Sequence, residues 1–321
     1  MDNLCHTLVG AALAESGLKR RTPLAMATLL IGANLPDLDA LAYWWGNLAA
    51  LEFRRGWTHG VLAMAVLPVA LAGCMLAWDS FVRRRGGMAR LRQPALFGQL
   101  VLLSFIAVWS HPLLDLLNTY GVRLLMPFSG RWFHADALFI VDPWVWLTLG
   151  LGVWLSRRAL RRHAPPGSVV SPARFALFAV AVYAIAMTVT SWRTGNTLQT
   201  QLASSGSSAQ VLMAAPVPVT PFKRHVVVQN GEHYQSGTVR AWNAAGWAPR
   251  EAVRLRGAGA AGEAAAESRE GTRFLGWSRL PYFETVGAES ASTTSVRISD
   301  YRYARPGQPS WASVVVTVPT E

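Results

Sequence analysis

The apolar run that begins near Leu96 and ends at Leu117 constrains this chain more than any other stretch. It is long enough to cross a bilayer, yet it closes on Ser110-His111-Pro112-Leu113-Leu114-Asp115-Leu116-Leu117-Asn118-Thr119-Tyr120-Gly121. His111 and Asp115 are four residues apart, so a helix presents both on one face, with Asn118 a turn further on. Imidazole and carboxylate at that spacing can hold one metal ion, and Pro112 bends or restarts the helix. From the spacing alone, a helix end with a solvated histidine and aspartate is the simpler reading. The rest of the chain argues against it.

At 51% hydrophobic and 15% charged residues, the sequence is too apolar for an average soluble protein and points to several membrane spans. A formal charge of +12 would suit nucleic acid, but the arginines fall in short clusters between apolar runs, as cytoplasmic loops do. Membrane lipid is the expected partner, and nucleic acid is not. Cys5 and Cys74 offer neither a disulfide framework nor zinc-ribbon spacing. About six spans are expected, over residues 1–18, 23–45, 60–78, 96–117, 137–155 and 174–192. The first lacks a basic leader region and is expected to stay on the chain, despite Ala12-Leu13-Ala14 near its end.

Charge then orients the spans. Lys19, Arg20 and Arg21, the arginines at 83, 84, 85, 90 and 92, and those at 157, 158, 161 and 162 belong on the cytoplasmic side. Both termini are then outside. Asp2, His6, Asn34, Asp37, Asp39, His59, His111, Asp115, Asn118, His134, Asp136 and Asp142 all come near the external face. Of the acidic residues before Thr194, only Glu15, Glu52 and Asp79 fall outside this set. Independent surface decoration would not sort so cleanly.

From Thr194 the character changes. Residues 1–193 read as a membrane-embedded metal-site domain, 194–215 as a polar linker, and 216–321 as a soluble β-rich domain on the external side. The strand runs are His225–Gln229, Tyr234–Trp242, Tyr282–Val286, Ser295–Tyr303 and Ser313–Val318, with a turn at Asn230-Gly231. Gly257–Ala266 reads as a mobile loop. The fold class is thus an α-helical multi-pass membrane domain followed by a small extracytoplasmic β-rich domain.

The candidate metal ligands are His6, Asp37, Asp39, His59, His111 and Asp115. Mixed nitrogen and oxygen donors suit zinc, manganese or iron better than calcium or magnesium. Six donors exceed one open catalytic zinc, so one or two ions fit, with Asp115 able to bridge a pair. Asp37, Asp39, His59 and Asp115 are the expected catalytic set. Asp2, Asn34, Arg55 and Asn118 are placed at substrate or behind the ligands. Asp142 before Pro143 reads as a helix N-cap. His163, His225 and His233 read as surface histidines, and the tryptophans as interfacial anchors.

Asp2…His6, Asn34-x-Pro36-Asp37-x-Asp39, Arg55-Gly56-x-Thr58-His59 and His111-x-x-x-Asp115-x-x-Asn118-Thr119-Tyr120-Gly121, in that order, resemble the YdjM-like family of inner-membrane proteins described as metal-dependent hydrolases. The likeness extends weakly to Ser278-Arg279-Leu280-Pro281-Tyr282 and Asp300-Tyr301-Arg302-Tyr303. The ligand order is also similar to that of zinc-dependent phospholipases C, although a second His-x-x-x-Glu pair is missing. Arg54 stands where the YdjM-like family often has a histidine. The resemblance implies a membrane-bound hydrolase at the periplasmic face, acting on a phosphoester or lipid-derived small molecule through metal-activated water. The alternative is a non-enzymatic ion-conducting, transport or envelope-stress protein, in which intramembrane carboxylates are equally expected.

Overall fold

A helix rises 1.5 Å per residue, so crossing a hydrocarbon core of about 30 Å takes about 20 residues. In the computed structural model, which describes residues 1–86, 93–161, 171–255, 257–290 and 292–319, three helices meet that demand by length and composition. They are α4 (Val61–Arg84), α5 (Phe97–Leu116) and α7 (Pro172–Ser204). The expected six spans are therefore corrected to three among the described residues. α1 (Asn3–Glu15) and α2 (Ala25–Asn34) have 13 and 10 residues, too short for the core. α6 (Pro143–Arg161) has 19 residues but carries Arg157, Arg158 and Arg161 in its last turns. Arg90, Arg92, Arg162 and His163 lie outside the described residues.

The chain divides into two compact units. The first comprises residues 1–39, 55–189 and 216–221, and the second 40–54, 190–215 and 222–321. In the first unit α1 packs on α2 and α6, while α5 packs on α2 and α4. Small residues set the spacing. A Cβ on Gly10 would stand 2.7 Å from the Leu29 carbonyl oxygen, and one on Gly32 would stand 2.8 Å from the Ala107 Cβ. Close approach of α1, α2 and α5 follows, and Ala14, Ala25, Leu29, Leu103 and Ala107 fill the seam. Val66, Leu102, Phe175, Phe178 and Ile185 stay exposed along the three long helices, as lipid-facing side chains should.

One end of this unit collects basic charge. Glu15, buried at the end of α1, pairs with Lys19 and with Arg157 (3.1 Å), and Arg174 Nε donates to the Ser16 carbonyl at 2.6 Å. The other end is where α5 finishes on His111 and Asp115.

The second unit holds α3 (Asn47–Phe53), the distal turns of α7 and most of the long sheet structure. β1 (Gln210–Val217), β2 (Thr220–Asn230), β3 (His233–Arg240) and β4 (Glu251–Arg254) make one sheet in sequence order. β5 (Pro281–Ser290), β6 (Thr293–Asp300) and β7 (Ser313–Pro319) make a second. The five expected strand runs are present, and β2 turns into β3 at Gly231 (φ 55°), with Asn230 opposite His233. The polar stretch 194–215 is not a linker. α7 continues through it to Ser204 because Leu198 and Leu202 pack on the Val226 and Val228 core, and β1 starts at Gln210. Nor is Gly257–Ala266 a loop: α8 (Gly259–Glu267) forms there, with Ala265 fully buried, followed by α9 (Arg269–Leu275). His225 is half-buried in β2 rather than on the surface.

The motifs at 278–282 and 300–303 meet at Asp300. Its carboxylate accepts from Ser278 Oγ (2.8 Å), the Arg279 N–H (2.8 Å) and Arg302 Nε (2.9 Å). Burial alone would raise the Asp300 pKa, but the Arg302 guanidinium and these donors outweigh it and hold the carboxyl below its usual range.

Candidate metal centre

Four apolar segments each deliver polar groups to one point. α1 brings His6, the 3-10 turn after α2 brings Asp37 and Asp39, the Arg54–Gly60 turn brings Arg55 and His59, and the last turns of α5 bring His111 and Asp115. His6, His59, His111 and Asp115 are essentially inaccessible to solvent, and Asp37 is the most open of the carboxylates at 8% exposure.

Asp115 is the hub. Its Oδ1 lies 3.4 Å from His6 Nε2, while its Oδ2 lies 3.4 Å from His59 Nε2 and 3.5 Å from His111 Nε2. His111 Nε2 is also 3.7 Å from Asp37 Oδ1. The His6 and His111 rings stack, with centroids 3.6 Å apart. Two ligand sets follow, His6/His111/Asp115 and Asp37/His59/His111. One imidazole nitrogen has one lone pair, so His111 could serve only one ion of a pair, and Asp115, with an oxygen toward each set, is the group that could be shared.

The outer contacts fix which nitrogens are free to ligate. His111 Nδ1 lies 2.7 Å from the Ala33 carbonyl, which can only accept, so the proton sits on Nδ1 and Nε2 presents its lone pair. His59 Nδ1 lies 3.2 Å from Asp39 Oδ2 and 3.0 Å from Thr58 Oγ1, which places the same tautomer there. Burial pushes the His59 pKa below its ordinary range, against the upward pull of Asp39, and the ring stays neutral.

A metal fits this chemistry. Both His6 ring nitrogens, His59 Nε2, His111 Nε2 and Asp115 Oδ2 are buried with no hydrogen-bond partner among the described residues. Orphaned buried polar atoms are rare and costly, and here they converge. Two ligands about 2.1 Å from one tetrahedral ion are about 3.4 Å apart, the spacing found around Asp115.

Not every expected residue joins the cluster. Asp39 stands behind it: Oδ2 accepts from the Arg55 N–H (2.7 Å) and Thr58 Oγ1 (2.9 Å) while facing His59. Asp2 caps α1, accepting from the Leu4 and Cys5 N–H groups, and takes the Trp146 indole N–H at 3.1 Å. Asn34 bonds Thr7 across the α1–α2 seam (3.1 Å). Arg55 and Asn118 belong to the surround. Arg55, in a left-handed turn at φ 52°, puts Nη2 3.1 Å from Asp115 Oδ1 and Nη1 2.9 Å from Asn118 Oδ1, and stacks over Tyr120. The Met1 amino group touches the same Asp115 oxygen. Asp142 is the cap of α6, accepting from the Trp144 N–H at 3.0 Å. His134 and Asp136 fall in neither ligand set. Sequence reasoning missed Thr58, Tyr120 and the Ala33 carbonyl. Thr58 and Tyr120 carried a signal, since both stand in the motifs around His59 and Asn118.

Fold and site together define a helical membrane protein with a buried histidine–aspartate centre, joined to a β-rich domain. The chain belongs to the YdjM inner membrane protein family, whose sequence profile matches residues 1–196. It is 24% identical over 166 residues to "Uncharacterized protein YfhP" of Bacillus subtilis strain 168. That match covers 48% of this chain and 46% of the relative, so it spans about half the length of each. No solved structure matches.

Proposed function

We propose that the protein is a membrane-bound metal-dependent hydrolase that cleaves a phosphoester, lipid-derived by preference, at the periplasmic face of the inner membrane. The observation that carries this reading is the convergence on Asp115 of three buried imidazole Nε2 atoms, none with a hydrogen-bond partner among the described residues. His6, Asp37, His59, His111 and Asp115 would hold one or two ions. Zinc suits the donor set, and manganese or iron share it. When bound, such an ion supplies a nucleophile by lowering the pKa of water toward neutrality.

The chain's own groups do the rest. Asp37, the most open carboxylate, would be the group to hold the proton released from the attacking water and to pass it to the leaving alkoxide. Arg55 and Asn118 hold Asp115 in place, and Asp39 and Thr58 hold His59.

Orientation and depth support the substrate class. Lys19, Arg83, Arg84 and Arg157 lie at the helix ends away from His111, and the positive-inside rule assigns such ends to the cytoplasm. His111 and Asp115 then lie at the periplasmic end of α5, near headgroup level. An ion-conducting path would need an open carboxylate at the cytoplasmic end, where Glu15 is paired with Lys19 and Arg157 and Asp79 accepts from the Ala95 N–H.

Detergent-purified protein should hydrolyse bis(p-nitrophenyl) phosphate, lose the activity in EDTA and regain it with zinc. Tight metal binding with no hydrolysis of this ester or of phospholipid vesicles would reject the hydrolase and leave the metal centre standing.

A further inference from the structure

The C-terminal unit holds a cavity of about 490 Å³ between α8, β5 and the β3–β4 edge of the four-stranded sheet. That volume is in the range of small-molecule sites, about 300–1,000 Å³. Leu255, Leu275 and Phe283 supply apolar wall. Glu263 and Glu267, four apart on α8, share the helix face that borders the cavity, and both are exposed to solvent. The Glu267 carboxylate makes no ion pair or hydrogen bond among the described residues. The described lining contains no lysine or arginine, in a chain whose formal charge is +12.

A second observation is independent of the carboxylates. Tyr234 lines the cavity while only 4% exposed, and its hydroxyl has no hydrogen-bond partner among the described residues. The ring is held in place by stacking on Tyr301, with centroids 5.7 Å apart and planes 17° from parallel. Burial, then the nearby Asp300, pushes the phenol up to about 12, so it remains a neutral O–H able to donate or accept.

We infer that this cavity binds a small amphipathic amine, with its ammonium group at Glu267, its apolar body between Leu255, Leu275 and Phe283, and a polar atom on the Tyr234 hydroxyl. The Phe283 ring adds a π face for the cation. The inference does not depend on the metal centre.

The test uses the full chain in detergent, titrated with 2-phenylethylammonium chloride and followed by saturation-transfer NMR, with 2-phenylethanol as the uncharged counterpart. The ammonium compound should saturate, and the alcohol should bind about fivefold more weakly or worse. Glu267→Gln, an exposed change that leaves the fold intact, should weaken the ammonium compound by about the same factor. Ala266→Leu, which fills the cavity with a good helix former, should abolish binding. Failure to saturate, equal affinity for amine and alcohol, unchanged binding in Glu267→Gln, or a signal that survives Ala266→Leu would each overturn the proposal.

Discussion

Asp39→Asn separates a group that holds a ligand from one that is a ligand. Asp39 Oδ2 accepts from the Arg55 N–H at 2.7 Å and Thr58 Oγ1 at 2.9 Å, and it faces His59 Nδ1 at 3.2 Å. An amide oxygen can keep the first two contacts, so the Arg54–Gly60 turn should survive. What is lost is the negative charge behind His59, which raises the basicity of Nε2 and fixes its tautomer. Losing a group of this kind weakens metal binding by about 10- to 100-fold, or about 1.4–2.7 kcal/mol. The assay is competition with a graded series of chelators, reading retained metal by mass spectrometry on detergent-purified protein. Asp39→Asn should retain metal against weak chelators and lose it to strong ones, whereas His111→Ala should lose it to all. Behaviour identical to His111→Ala would make Asp39 a direct ligand. Behaviour identical to the unaltered protein would refute the role given to its charge.

Gly10→Ala should destabilise the helical unit by about 1–3 kcal/mol, because the new methyl meets the Leu29 carbonyl at 2.7 Å and the Ala33 Cβ at 3.1 Å. Resistance to proteolysis in detergent should fall, and metal affinity with it, since His6 and the Ala33 carbonyl ride on the helices being pushed apart. In the C-terminal unit, the depressed Asp300 pKa means that ionised Asp300 stabilises the fold fully above the unfolded carboxyl value, about 3.9. That stability is lost as pH falls through the lower folded value. Asp300→Asn should flatten this acid limb and cost about 3–5 kcal/mol, because Arg302 is left buried without its partner. Near-UV circular dichroism of the aromatic group around Trp277 reads both effects.

Much of the site was legible because lipid makes polar residues conspicuous. His6, Asp37, His111 and Asp115 each stand out in an apolar segment, His59 ends the polar loop before one, and the His111–Asp115 spacing names a helix face directly. The distinction between Asp37 and Asp39 was not legible. It depends on the left-handed turn at Arg55, which brings that N–H and Thr58 onto Asp39 and leaves Asp37 toward His111. Asp2 and Asn34 look like site residues by proximity, but a helix N-terminus and an α1–α2 hydrogen bond claim them. The number of spans was overcounted because hydropathy runs on through the 3-10 segment Leu35–Trp45, whereas the regular helix stops at Asn34. The supposed linker at 194–215 has a flexible composition. Leu198 and Leu202, four apart, nonetheless find a sheet to pack on, and that tertiary contact keeps α7 helical.

The most direct test of the central claim is metal stoichiometry, measured by mass spectrometry on detergent-purified protein and on its His6→Ala and His111→Ala variants. Two ions per chain are predicted in the unaltered protein, with one equivalent lost in His6→Ala. His111→Ala should lose at least the one equivalent that its Nε2 would hold. One ion in the unaltered protein, unchanged in His6→Ala, would reject the paired centre in favour of a single ion. No metal retained in any of the three would contradict the account itself.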